Sequence, residues 1–252
     1  MTAFFSSLRL PGLAVAGLIL AGCSVPDTPT DIHDPYEPVN RLVHGFNKGV
    51  DTVAIRPASQ VYGHIVPQPV RTGLDNVASN LGMPAAVANK SLQGEPEDAV
   101  HNLFRFLVNS TLGVFGIFDA AASFGLEERS ADFGQTLGVW GTPEGAYLEL
   151  PLLGPSTERA AVGQVVDIAL NPLSLFSDDV REAEVAGTGT SLLNYRYTFS
   201  TTVDGILYES ADSYAQLRLF YLDSSRFAEG GETADAIDTE LYDDLYGDLY
   251  DQ

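Results

Sequence analysis

Basic side chains are scarce in this sequence: 13 Lys and Arg stand against 34 Asp and Glu among 252 residues, a formal net charge of −21. Such a surface repels phosphate backbones, which excludes nucleic acid as a partner. Cysteine is scarcer still, and Cys23, the only one, has no partner for an internal disulfide. The four histidines (His33, His44, His64 and His101) are scattered, with none at the paired spacing of zinc ligands. Neither a Gly-x-Ser-x-Gly nucleophile elbow nor a His-Glu-x-x-His zinc motif occurs. Gly187-Thr188-Gly189-Thr190 lacks the length and the strand–helix setting of a phosphate-binding loop. These absences point away from an enzyme, and no catalytic residue, metal or cofactor is expected. Beyond the N-terminal stretch, no run reaches the ~20 uncharged apolar residues of a spanning helix.

Apolar side chains are plentiful, at 45% hydrophobic against 19% charged residues. That is enough to bury a substantial core. The N-terminal run from Leu13 to Leu20 follows Arg9 and ends in Leu20-Ala21-Gly22-Cys23. A basic start, an apolar stretch and small residues at a cut site make a secretory signal. A cysteine directly after Leu-Ala-Gly resembles the bacterial lipobox, which implies a signal over 1–22 and a mature chain anchored by acyl groups on Cys23. Ser24 in place of aspartate favours the outer over the inner membrane. Residues 23–33 read as a polar, proline-bearing tether, whose ten residues after Cys23 reach at most about 33 Å. The fold therefore sits at the membrane or in it.

Short helices broken by proline and glycine dominate the middle of the chain. Val39, Leu42, Val43, Phe46 and Val50 recur at helical spacing after Pro38. Pro57, Pro67, Pro69 and Pro84 then predict short or re-entrant helices. After Glu95-Pro96-Glu97-Asp98, one face of a clear amphipathic helix carries Ala99, Val100, Leu103, Phe104, Leu107 and Val108. Asp98, Asn102, Arg105 and Asn109 line the other. Leu112, Val114, Phe115, Ile117 and Phe118 follow, and Asp119 is the sole charge from Thr111 to Leu126. Two readings stay open: a buried core hairpin, or a helix pair lying within one leaflet.

Asp34-Pro35-Tyr36-Glu37-Pro38-Val39-Asn40-Arg41, Phe46-Asn47 and Asp51 resemble the opening signature of the VacJ (MlaA) family of outer-membrane lipoproteins. The likeness continues through Pro67-Gln68-Pro69-Val70-Arg71, Asn109-Ser110-Thr111-Leu112-Gly113 and Phe133-Gly134-Gln135-Thr136-Leu137-Gly138. It ends in Leu150-Pro151-Leu152-Leu153-Gly154-Pro155-Ser156 and Arg159, covering roughly 34–221. Two departures stand out: Ala160 follows Arg159 where the family has aspartate, and Ser213 replaces a proline between Asp212 and Tyr214.

The resemblance implies a mostly α protein, a ring-like arrangement of short amphipathic helices lying in one leaflet of the outer membrane around a polar central channel. It implies removal of misplaced phospholipid from the outer leaflet, binding to a trimeric porin, and hand-over to a soluble periplasmic carrier. A polar lining makes physical sense, because an unsolvated headgroup in hydrocarbon is costly. Phe46, Asn47, Asn102, Arg105 and Asn109 become candidates for the lipid path, with Arg105 placed to meet phosphate. Leu112, Phe115, Ile117 and Phe118 become candidates for the membrane-facing surface. A structural envelope lipoprotein is the alternative class, and a lipid hydrolase the weaker one. The helical domain should span 34–222, with a flexible acidic tail over 223–252 that holds ten acids against Arg226 alone. Leu241, Tyr242, Leu245, Tyr246, Leu249 and Tyr250 form a narrow stripe on that tail, able to dock on a carrier as it folds.

Overall fold

The computed structural model describes residues 32–170 and 178–228. The signal, Cys23 and the 241–250 stripe lie outside them. The chain divides after Gly205 into two compact units.

In the first unit, α1 (Glu37–Val50) opens on Glu37 and Pro38, a favourable acid and a proline whose missing N–H costs nothing in the first turn. It does not stop there. A single π-turn (Asp51–Ile55) carries it into α2 (Arg56–Ile65), so Pro57 sits in a first turn. α3 (Gln68–Leu92) is 25 residues long and runs through Pro84. The expectation of short helices between the prolines fails here. Pro57 and Pro69 occupy starts, and Pro84 removes one backbone donor while the helix is held between two neighbours.

Those neighbours are α4 (Pro96–Thr111) and α7 (Asp178–Thr198), and α7 also packs on α2. α5 (Phe133–Val139) starts at Asp132, whose carboxylate accepts from Gln135 N at 2.8 Å. It packs on α6 (Glu158–Leu170). There Gly163 is required: a Cβ would lie 2.2 Å from Gly134 N. β1 (Tyr147–Leu150) and β2 (Gly154–Thr157) pair antiparallel, Tyr147 opposite Thr157 and Leu150 opposite Gly154, a hairpin the sequence reading did not anticipate. α8 (Ser200–Asp204) closes the unit. Among the described residues no helix is long and apolar enough to cross a membrane.

In the second unit, α9 (Ser213–Ala228) begins where the family's proline would stand. Asp212 caps it, accepting from Ala215 N at 3.1 Å, and the Arg218 guanidinium lies 5.3 Å from the Tyr214 ring centroid.

Candidate functional site

Two amphipathic helices of the first unit, α1 and α4, are turned inside out. On α1 and the π-turn that continues it, Asn40, His44 and Asp51 are buried, whereas Val39, Leu42 and Phe46 are exposed, Leu42 to 75%. On α4, Asn102, Arg105 and Asn109 are buried, Asn102 completely, while Val100, Leu103, Phe104 and Leu107 face outward. The buried apolar side chains are few and mostly small, among them Met83, Ala86, Ala99, Ala121, Leu137 and Val162. A water-soluble fold buries its large apolar side chains and leaves charge outside. Here the assignment is reversed.

Each buried polar stripe holds a piece of backbone outside its own helix, strand β1 and the turn after it for α1 and the segment after the helix for α4. On α1, Asn40 Nδ2 donates to Tyr147 O (3.0 Å), and its Oδ1 accepts from Glu149 N (3.0 Å). His44 Nδ1 meets Glu149 Oε1 at 3.0 Å. Asn47 Nδ2 donates to Leu150 O (3.0 Å), and its Oδ1 accepts from Leu152 N (2.8 Å). That last bond pins a left-handed residue, Leu152 at φ +66°. Phe46, which precedes Asn47 in the chain, is exposed. The two path candidates on α1 thus face different surroundings.

The α4 stripe clasps the segment that follows it. Arg105 Nη2 donates to Asp119 (2.8 Å) and Nη1 to Leu126 O. Asn109 Nδ2 donates to Asp119 (3.0 Å), and its Oδ1 accepts from Ala121 N (2.8 Å). Asn102 Nδ2 donates to Arg129 O at 2.7 Å. Burial pushes the Asp119 carboxyl up, but the hydrogen bonds from Arg105 and Asn109 outweigh it and leave it below its ordinary range.

Residues 112–121 form neither the second helix of a pair nor a buried hairpin. They fold as consecutive turns, followed by a 3₁₀ turn (Ala122–Phe124). Val114 and Phe115 take positive φ (+54° and +58°), and Gly116 (φ +88°) lies so close to Asn80 that a Cβ would sit 2.7 Å away. These conformations cannot continue a helix. The result is a knob that exposes Leu112, Phe115 and Phe118, Phe115 to 81% and the other two to 64%, with Ile117 at 43%.

Two further polar clusters were not legible in advance. Arg196 on α7 binds Asp51 through Nε (2.8 Å) and Nη2 (3.0 Å), and Asp204 through Nη2 (2.5 Å); Arg56 completes it on Asp204 at 2.6 Å. Burial works against the Arg196 charge, but the two carboxylates more than offset it and raise its pKa. On α6, Asp167 accepts from Asn89 Nδ2 (3.0 Å) and Phe133 N (2.9 Å), and burial raises its pKa. The apolar spacing of Val39, Leu42, Val43, Phe46 and Val50 was visible in the sequence, whereas the polar residues of the opposite face, Asn40, His44, Asn47 and Asp51, drew no such reading. Their partners on distant elements were not legible.

Histidine plays ordinary parts: His64 Nδ1 meets Gln60 O at 2.7 Å, and His101 Nε2 meets Glu127 O at 2.7 Å. Gly187-Thr188-Gly189-Thr190 lies within α7. Glu158, beside Arg159, accepts from Tyr36 OH (3.2 Å) and Ala146 N (3.1 Å). Among the described residues no cluster could hold a metal ion.

A family model described as MlaA lipoprotein matches residues 32–228. The intermembrane phospholipid transport system lipoprotein MlaA of Escherichia coli K12 is 33% identical over 253 residues, covering 94% of this chain and 98% of its own length. An uncharacterized protein of Rickettsia felis is 32% identical over 189 residues, 75% of this chain and 74% of its own. A solved structure reported as the structural basis for maintenance of bacterial outer membrane lipid asymmetry aligns with TM-score 0.67 and 32% identity, covering 78% of this chain and 98% of that one.

Proposed function

Because this chain belongs to the MlaA lipoprotein family, we propose that it is an outer-membrane lipoprotein that draws misplaced phospholipid from the outer leaflet. The lipid would pass through a polar channel to a soluble periplasmic carrier, with a trimeric porin as the partner in the membrane. Acyl chains on Cys23 anchor the protein at the periplasmic face. It performs no bond-breaking chemistry.

The observation that carries this reading is the reversed burial. In hydrocarbon no water solvates the backbone, so irregular segments survive only where protein groups satisfy them. Asn102, Arg105 and Asn109 do this for the 112–129 segment, while Leu103, Phe104, Leu107, Phe115 and Phe118 offer an apolar exterior. A leaflet-embedded body that keeps a polar interior meets both needs of a lipid with a charged head and apolar tails. Within this reading Arg105 meets phosphate only by exchanging it for Asp119, so the stripe shapes the path as well as lining it.

Full-length protein reconstituted in vesicles with fluorescent phospholipid tests the reading. Lipid should appear on an added carrier, with no release of free fatty acid. Free fatty acid would indicate a hydrolase, and neither product would leave a scaffold. Phe115→Glu should keep the fold, since that side chain is exposed, yet lose vesicle insertion and transfer. If Phe115→Glu unfolds in detergent, the knob belongs to a core.

A further inference from the structure

The lipid path needs a place that recognises a headgroup, and the first unit holds a cavity whose chemistry answers to one headgroup class. Between α3 and α7, Asp75, Ser191, Asn194, Tyr195, Thr198 and Phe199 line a cavity of about 300 Å³. Asp75 accepts from Ser191 Oγ at 2.8 Å and from Asn194 Nδ2. Both donors are neutral, so they orient the carboxylate without cancelling its charge. Arg71, the adjacent cation, gives its Nη1 to Asn194 Oδ1 at 2.5 Å and its Nε to Val66 O at 3.1 Å. Its guanidinium packs over the Tyr197 ring at 4.8 Å.

Across the same cavity, Tyr195 and Phe199 stand with ring centroids 4.6 Å apart, both about half exposed. A carboxylate that shares a cavity with an aromatic pair suits an ammonium group: the carboxylate supplies charge, and a ring face turned away from its neighbour attracts a cation. The volume admits an ethanolamine-sized group. A purely anionic headgroup would meet Asp75 with like charge.

A second cavity of about 500 Å³ runs along α2, walled by Pro57, Ala58, Val61, Tyr62, Ile65 and Val66. Tyr62 ties the two together: burial, then the Asp75 charge, raise its phenol pKa, so its ring lines the apolar groove within reach of that carboxylate's field. An amphiphile with its head on Asp75 would find apolar wall for a tail nearby.

We propose that the Asp75–Tyr195–Phe199 cavity binds the ammonium headgroup of an amine-bearing phospholipid, giving the lipid path a preference for zwitterionic over anionic lipid. This rests on the transport reading above.

The test equilibrates the detergent-solubilised full-length protein with micelles holding equal amounts of phosphatidylethanolamine and phosphatidylglycerol. The protein is then isolated and its bound lipid counted by native mass spectrometry. Wild type should retain the amine lipid about tenfold over the anionic one. Asp75→Asn should bring the ratio toward one, lowering retention of the amine lipid and raising that of phosphatidylglycerol. Tyr195→Leu and Phe199→Leu, at half-exposed positions that tolerate substitution, should lower it by several-fold and guard against a misfolded Asp75→Asn. Equal retention of the two lipids in wild type, or a ratio none of the variants moves, overturns the proposal while leaving lipid transport standing. Loss of all phospholipid binding in wild type overturns both. Isotope-labelled free ethanolamine, added alone, should bind far more weakly than the lipid; equal binding would make the free amine the ligand and overturn the lipid assignment.

Discussion

At the scale of single residues, Arg105 carries two demands at once. Its guanidinium is buried, paired with Asp119 and donating to Leu126 O. Arg105→Glu would put a second carboxylate against Asp119 and leave that carbonyl without its donor. The expected loss is about 3 kcal/mol or more, read from the urea midpoint in micelles. Any transport defect in this variant therefore has to be corrected for unfolding. Asp119 also sets an acid limit. Its native pKa lies below the ordinary 3.8, so the folded chain binds fewer protons than the unfolded one near that value. Stability from the clasp is present above the ordinary carboxylate range and fades as pH falls through the depressed value. Asp119→Asn should lower the thermal midpoint at pH 6 and flatten its fall between pH 5 and 3 (roughly the window in which a carboxylate of this kind titrates); an unchanged slope would assign the acid sensitivity to other carboxylates, such as Asp204.

Elements show where sequence logic reached and where it stopped. The amphipathic faces of α1 and α4 were legible because periodicity is a local property, and Pro96 with Glu97 and Asp98 marked the α4 start. Which face turns inward was not legible. Periodicity separates two faces, and only the surrounding medium decides which of them is buried. The second half of the proposed hairpin failed because Gly113 and Gly116 admit turns, and the side chains that stabilise those turns, Asn109 and Asn76, come from α4 and α3. The β-hairpin escaped notice because its strands are four residues each and its fastening is Asn40 and Asn47 on a distant helix. The Asp75 cavity needs α3 and α7 side by side, which no local pattern specifies. Packing of α5 on α6 gives the sharpest test at this scale. Gly163→Ala would drive a methyl into backbone at Gly134, with no flexible side chain to yield. The expected cost is about 2–3 kcal/mol, from overpacking. Loss of the Trp140 fluorescence signature on unfolding at lower urea would report it, since Trp140 directly follows α5 and stacks edge-on against Phe133 at 5.7 Å. A variant as stable as wild type would mean that the two helices can slide apart freely.

At the scale of the whole molecule, the lipid anchor and the apolar exterior make separable claims about membrane attachment. Two acyl signals hold a soluble body firmly, one holds it marginally, and an apolar surface embedded in a leaflet needs neither. Among the described residues Leu42, Phe46, Phe104, Phe115, Phe118 and Trp140 are all exposed, and large exposed apolar side chains of this kind mark a contact with membrane or protein. Exporting the chain with Cys23→Ala behind an ordinary cleavable signal removes the proposed acylation site and leaves those side chains intact. If the exterior is lipid-facing, this unacylated protein should still sediment with membranes and resist extraction by alkaline carbonate, requiring detergent for release. Adding Phe115→Glu and Phe118→Glu should shift it toward the soluble fraction. Complete carbonate extraction of the Cys23→Ala chain alone would mean that the acyl anchor does all the holding, and that the exposed apolar side chains are covered by protein.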